Sequence, residues 1–249
     1  MIVLRSPEEI EKLRASNRVV AIVMRELKKA VQPGTTTLEL DEIAENLVRE
    51  LGATPAFKGY KGYQHTICSS VNEQVVHGIP SKRKLREGDI ITIDIGAKMD
   101  GYYGDHAFTI PVGAVSSEAE RLLKYGEESL WQGIEKARVG NRLFDISNAI
   151  QIHAEAGGFG VVRDYVGHGI GTSLHEEPQV PNFGKLGTGP ELKTGMVLAI
   201  EPMLNLGVAE VKVLDDAWTV VTADGKLSTH FEHSLAITEN GPDILSVPE

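Results

Sequence analysis

The sequence predicts an α+β fold of two duplicated halves related by a pseudo-two-fold axis, with a central antiparallel sheet covered by helices on one face. Three observations carry this expectation. A pair of helical patterns followed by strand patterns occurs twice along the chain, segments of the second half match segments of the first at near-constant offsets, and no linker-like stretch separates the two. The halves span about residues 1–113 and 114–249, and the 249 residues are expected to form a single domain.

The first helix should begin after Ser6. Ser6, Pro7 and Glu9 supply an N-cap, a first helical residue with no amide to satisfy, and a capping-box partner. Ile10, Leu13, Val20, Val23, Met24 and Leu27 keep a helical period until Pro33-Gly34 halts it. Thr36 and Glu39 repeat the capping box ahead of Leu40, Ile43, Leu47 and Leu51, with Gly52 as the residue that ends the helix. The stretch from Ile91 to Ile95 alternates with a period of two, and Asp100-Gly101 is a hairpin turn signal before Phe108-Thr109-Ile110. Helical patterning returns from about Glu118 through Leu122, Leu123, Leu130, Trp131 and Ile134, then again at Phe144, Ile146, Ala149 and Ile150. Strands are expected at residues 197–200, 218–221 and 231–237, and the Pro- and Gly-rich residues 178–195 read as a loop on the active side.

The duplication shows in specific pairs. At an offset of 106, Gly34, Leu38, Leu40 and Gly52 meet Gly140, Phe144, Ile146 and Gly158. At an offset of 107, Leu85-Arg86-Glu87-Gly88 meets Leu192-Lys193-Thr194-Gly195, Ile93 meets Ile200, and Asp94 meets Glu201. At an offset of 127, Asp105-His106 meets Glu232-His233, which places about 20 extra residues inside the second hairpin.

Composition narrows the function classes. A formal charge of -10 argues against nucleic acid as the main ligand, because phosphate backbones are held by clustered Lys and Arg. The basic run Lys82, Arg83, Lys84 and Arg86 reads first as a solvated loop. Cys68 is the single cysteine, which excludes an intramolecular disulfide or a CxxC zinc site and fits a reducing compartment, so the cytoplasm is expected. The N-terminal residues lack the basic and apolar regions of a signal peptide, and the apolar run at 19–24 falls far short of the ~20 residues that cross a bilayer. No membrane partner is expected. P-loop, GxGxxG and G-x-S-x-G patterns are missing from the sequence.

The chemistry is carried by acids. Asp94 alternates to the strand face opposite Ile91, Ile93 and Ile95, and the hairpin turn brings Asp105 near it on the neighbouring strand. The repeat places Glu201 and Glu232 equivalently. Four converging carboxylates would repel one another and be driven protonated, whereas two divalent cations offset them. Such a donor set suits two hard or borderline cations about 3.5–4 Å apart. Histidine is the usual completing ligand, with candidates at His77 in Val75-Val76-His77-Gly78-Ile79-Pro80 and at His168 and His175 in the Gly-rich residues 167–176. His65, His106, His153, His230 and His233 read as ordinary hydrogen-bonding side chains, and Cys68 as a small buried hydrophobe.

At these residues, together with Gly88-Asp89, Gly101-Tyr102-Tyr103-Gly104-Asp105, Leu174-His175-Glu176, Met196 to Glu201-Pro202 and Phe231-Glu232-His233, nearly the whole chain resembles the type I methionine aminopeptidases of the pita-bread metallopeptidase superfamily. The resemblance implies a pita-bread fold and metal-dependent removal of the initiator methionine from nascent proteins and peptides, preferably where the second residue is small. It implies two divalent metal ions per chain, of Co, Mn, Fe, Ni or Zn, with Asp94, Asp105, His168, Glu201 and Glu232 as ligands and Asp105 and Glu232 bridging. His77, His175 and Glu201 would be the catalytic side chains. His175 would polarise the scissile carbonyl, His77 would face the peptide, and Glu201 would shuttle the proton. Tyr60, Tyr63, Cys68, His77, Leu174, His175 and Trp218 would line the methionine pocket, where Leu174 stands in place of the Phe of some members and widens the rim. Only 25 residues separate His175 from Glu201, leaving no room for the helical insertion of type II enzymes, and no long N-terminal extension is expected. The implied partners are N-terminal peptides of nascent proteins and, transiently, the ribosome, with the protein a monomer. Two other readings are a pita-bread aminopeptidase of other specificity, such as a proline-directed one, and a non-catalytic pita-bread binding module.

Overall fold

The computed structural model describes residues 1–247, so the last two residues of the second half lie outside it. Both expected capping boxes form. Ser6 Oγ accepts from the Glu9 amide at 3.3 Å while the Glu9 carboxylate accepts from Ser6 N at 2.9 Å, starting α1 (Pro7–Ala30). Thr36 and Glu39 do the same for α2 (Thr37–Glu50), which ends ahead of Gly52 at φ +80°. The apolar stripe of α1 turns inward, with Leu13, Val20, Val23, Met24 and Leu27 buried. α3 (Ser117–Lys136) starts from a Ser116 cap, and α4 (Leu143–Ala156) follows it.

The strands form two larger sheets and two small ones. The first contains β1 (Thr54–Pro55), β2 (Ile67–Val71), β4 (Ile90–Met99) and β5 (Tyr102–Pro111), all antiparallel. The β4–β5 hairpin closes through Asp100 and Gly101, both left-handed at φ 49° and 87°, as a two-residue turn between right-twisted strands demands. The second holds β7 (Gly167–Gly169), β8 (Glu176–Val180), β9 (Val197–Ile200), β14 (His233–Thr238) and β15 (Gly241–Ile244), in the order β15-β14-β9-β7-β8. One small sheet joins β3 (Gln74–Val76), β11 (Val211–Val213) and β12 (Val220–Thr222), and the other joins β6 (Gly160–Val161), β10 (Met203–Asn205) and β13 (Ser228–His230). α1 and α2 pack on the first sheet, and α3 and α4 bury Leu130, Ile134, Ile146 and Ile150 against Leu198, Ile200 and Leu235 of the second.

The two larger sheets meet where β5 runs beside the chain leading into β14. Glu232 N donates to Ala107 O at 2.8 Å, but the remaining groups are taken by side chains: Thr109 Oγ1 donates to His230 O at 2.8 Å, and Ser234 Oγ to Asp105 O at 2.9 Å. Those bonds interrupt a regular ladder, so the centre is two sheets joined edge to edge.

Three expectations need correcting. The strand placed at residues 218–221 begins at Val220, because the Asp216 carboxylate captures the Trp218 and Thr219 amides at 2.9 and 2.8 Å in a turn. The strand placed at 231–237 begins at His233. Residues 178–195 are no active-side loop, since after β8 they wrap the N-terminus of α4 and satisfy its free amides. Leu143 N donates to Pro190 O at 2.8 Å and Phe144 N to Thr188 O at 3.2 Å. The loop reaches the acids through Asn182, whose Nδ2 donates to Glu201 O at 3.0 Å. Among the described residues, no helix is long and apolar enough to cross a membrane.

Candidate metal centre and substrate cavity

Asp94 lies mid-strand in β4 opposite Cys68 of β2 and Ala107 of β5, and Asp105 lies in β5 opposite Gly96. Glu201 follows the last residue of β9, and Glu232 precedes the first of β14. His168, in β7, brings Nε2 to 3.7 Å from Asp105 Oδ2 and 3.5 Å from Glu201 Oε1. Its Nδ1 lies 2.9 Å from Gly169 O. An N–H donated there leaves the Nε2 lone pair aimed at the carboxylates, the tautomer a metal ligand needs. Burial lowers the His168 pKa to about 3, so the ring is neutral.

The acids are costly in this place. Asp94 Oδ1, Asp105 Oδ1 and Glu232 Oε1 are buried with no hydrogen-bond partner. Burial, reinforced by Glu201, pushes Asp94 up to about 7, against a smaller opposing pull from His230. Asp105 and Glu232 are also raised, through burial and repulsion by their neighbouring acids, and Glu201 rises through burial. Such a cluster is stable either protonated or neutralised by cations. One ligand atom each from Asp105, His168 and Glu232 lies within 4.8 Å of the others. Orphaned carboxylate oxygens beside a neutral imidazole fit divalent cations of hard to borderline character.

A cavity of about 310 Å³ opens beside the acids and is lined by all five expected ligands and by Tyr60, Tyr63, His77, Leu174, His175 and Trp218. Cys68 departs from its expected place. It does not line the cavity but packs behind the wall against Tyr63 and Leu174, where burial raises its thiol pKa, so it acts as the small hydrophobe its sequence context suggests. His77 takes a left-handed backbone at φ 59°, and Gly78 follows because a Cβ there would overlap Ser69 O. That turn aims the His77 ring between Tyr165 and Trp218, with centroids at 5.5 and 6.4 Å, and burial lowers its pKa to about 4, helped by His230 and His175. His175 keeps an open edge toward the cavity mouth. Its ring stacks on Tyr60 at 5.5 Å, the Tyr60 hydroxyl lies 3.1 Å from Nδ1, and partial burial followed by Lys61 lowers its pKa.

Residues 11–239 match metallopeptidase family M24. The chain belongs to that family. Among its M24 relatives, methionine aminopeptidase 1 of Bacillus subtilis is 55% identical over 246 residues, covering 99% of each chain. Methionine aminopeptidase of Clostridium perfringens is 54% identical, again over 99% of each. The crystal structure of methionine aminopeptidase from Thermotoga maritima superposes with a TM-score of 0.98 at 46% identity, covering 99% of this chain and 100% of that one. The fold is therefore the M24 pita-bread fold of mixed helices and antiparallel sheets.

Among the residues facing the M24 site that the sequence reading missed, His230 is the titratable one with no partner. His230, only 1% exposed, lines the cavity with both ring nitrogens unpartnered, and its Nε2 stands 3.4 Å from Glu201 Oε2 without the alignment of a hydrogen bond. It is no satisfied core histidine. The signal that finds it is alternation, since His230 ends β13 two residues before Glu232 and extended backbone puts both on one face. The other four histidines read as hydrogen bonders fit that reading, His65 at 2.9 Å from Asp41 and His233 at 2.8 Å from Ser246, with His106 on Glu232 O and His153 on Glu128.

Proposed function

We propose that this chain is a metal-dependent methionine aminopeptidase that removes the initiator methionine from nascent proteins and peptides with a small second residue. The observation that carries the reading is the junction of a buried acid cluster with an aromatic-walled cavity of about 310 Å³. The two halves, about residues 1–113 and 114–249, then act as one catalytic domain, because each contributes two of the four acids. Asp94, Asp105, His168, Glu201 and Glu232 would hold two divalent cations, of Co, Mn, Fe, Ni or Zn. Bound there, such ions supply Lewis acidity toward a carbonyl and a water molecule.

The chain's own residues do the rest. Tyr63, Leu174 and Trp218 receive the methionine side chain, and a thioether against aromatic rings gains about 0.3–1.5 kcal/mol beyond its burial. Donation from the Tyr60 hydroxyl to His175 Nδ1 leaves the proton on Nε2, directed at the oxygen of the scissile carbonyl. Glu201, whose burial raises its proton affinity, takes a proton from the attacking water and passes it to the leaving amine. Asp94 accepts the substrate's free α-amino group, so an acylated N-terminus is excluded. His77 faces the peptide from the opposite wall. We assign the protein to the cytoplasm as a monomer, with the exposed Lys82, Arg83, Lys84 and Arg86 available for transient ribosome contact.

Metal-loaded protein is expected to release methionine from Met-Gly and Met-Ala peptides, measured by amino-acid analysis, and to leave acetylated Met-Ala peptides intact. Preference for Xaa-Pro peptides would instead make it a proline-directed enzyme. No turnover with any of the five metals would overturn the enzymatic reading in favour of a binding module.

A further inference from the structure

Leu174 and His175 sit at the end of a segment without regular structure that links β7 to β8. The Glu176 carboxylate knots that segment together, one oxygen accepting from Ser173 N at 3.0 Å and Thr172 Oγ1 at 3.3 Å. The other oxygen accepts from Arg5 Nη2 at 2.5 Å, from 171 residues away in the chain. Arg5 is itself fixed: its side chain is 6% exposed, its amide donates to Gly195 O at 2.7 Å, and Nη1 donates to Glu9 Oε1 at 3.3 Å. The same Glu9 oxygen accepts from the Tyr102 hydroxyl at 3.1 Å, and Tyr103 N donates to Gly171 O at 2.9 Å. Gly171 is shaped to this neighbour, since a Cβ on it would overlap Arg5 Nη2 and approach Glu176 Oε1.

We propose that Arg5 is a positioning residue for His175, the N-terminal segment serving as a strap that ties the Leu174–His175 loop to the hairpin bearing Asp94 and Asp105. Arg5 does not line the cavity and touches no reacting atom, so its effect passes through Glu176. A charge-assisted bond to a half-buried carboxylate is geometrically demanding, and losing its cation leaves Glu176 without its counter-charge beside the loop it holds. The loop is then free to shift, and a displacement of about 1 Å in a catalytic group costs up to about 100-fold in rate. The inference rests on the catalytic role read for His175.

The test compares metal-loaded wild type, Arg5→Ala, Arg5→Lys, Glu176→Gln, the double variant Arg5→Ala/Glu176→Gln, and His175→Ala. It reads methionine release from a Met-Ala peptide, bound metal, and amide hydrogen exchange. Arg5→Ala is expected to lose about 10- to 100-fold in kcat with a smaller change in KM and unchanged metal content. Exchange should accelerate at residues 172–176 while β4 and β5 stay protected. Arg5→Lys should recover most of the rate, and the double variant should be no worse than Arg5→Ala, because both changes break one contact. Wild-type kcat in Arg5→Ala, or exchange that rises throughout the protein with no rescue by Lys, overturns the proposal. If His175→Ala keeps wild-type kcat, the role of His175 fails, and unchanged exchange at 172–176 in Arg5→Ala separately sinks the strap.

Discussion

Asp94 and Asp105 sit inside ten-residue strands joined by a two-residue turn, whereas Glu201 and Glu232 stand just outside the ends of β9 and β14. In the first hairpin the acids are diagonal, Asp94 facing Ala107 and Asp105 facing Gly96. In the second, the ladder pairs Ile200 with His233, and continuing it by one step sets Glu201 directly across from Glu232. The chain between those two leaves the sheet to build β10 to β13 and carries Trp218 and His230 into the cavity. Equivalent carboxylates are thus held by an unbroken ladder on one side and by strand ends on the other. The first region gives the site its rigidity, and the second supplies much of what surrounds the substrate.

The sharpest way to break that comparison is to remove an acid from the ladder. Asp105→Asn keeps the shape of the side chain and removes a buried carboxylate whose Oδ1 has no protein partner. Turnover is expected to fall by roughly 1000-fold, because several kcal/mol of charge stabilisation is lost at tenfold per about 1.4 kcal/mol. Calorimetric titration should show divalent-metal binding weakened in parallel. Wild-type metal affinity in this variant would deny β5 its part in the site.

The acids and the histidines that the two regions contribute respond oppositely to pH. In metal-free protein the folded acids bind protons more tightly than the unfolded ones, so their stabilising contribution is complete below about pH 4 and is lost as pH rises through their folded values, about 7 for Asp94 and well above the ordinary carboxylate range for the others. Buried His168 and His77 act oppositely. Their folded values of about 3 and 4 give stability that grows with pH only up to the unfolded value near 6.5. Above pH 6.5 the acids act alone, so the thermal midpoint of metal-free protein is expected to fall by several degrees between pH 6.5 and 8.5. Saturating metal should flatten that slope, since the bound acids are ionised throughout. Asp94→Asn should flatten the part near pH 7. A metal-free slope of the opposite sign would refute the buried-acid account.

Legibility in the sequence follows the same division. Both capping boxes, the hairpin turn and Asp94 with Asp105 are local patterns, in which neighbouring residues decide the conformation, and the structure places them as read. Apart from the family resemblance, the acids of the second region are legible only through the offsets of 107 and 127, since strand ends carry no periodicity of their own. His230 was missed because an unpartnered histidine looks in sequence like a satisfied one, and burial without a partner is a tertiary property. Residues 178–195 misled because Gly and Pro mark a loop but do not say which surface it covers, and the free amides of α4 decided that. The Arg5–Glu176 contact spans 171 residues and had no sequence signal at all.

The smallest expected effect concerns the cavity wall, to which both regions contribute. Leu174, 3% exposed, comes from the second and packs against Phe57, Tyr63 and Cys68 of the first. Replacing it with Phe adds a ring at the edge of a pocket whose opposite side is held by the rigid first sheet, so the added volume must come out of the space left for the substrate side chain. A methylene in such a pocket discriminates by about 1–3 kcal/mol. Leu174→Phe is therefore expected to lower kcat/KM for an ethionyl-Ala peptide about tenfold relative to Met-Ala, with metal affinity and the pH slope of stability unchanged. The ratio of initial rates on the two peptides measures it. An unchanged ratio would mean that the loop side of the wall yields to the larger ring, and that selectivity is set by Tyr63 and Trp218 instead.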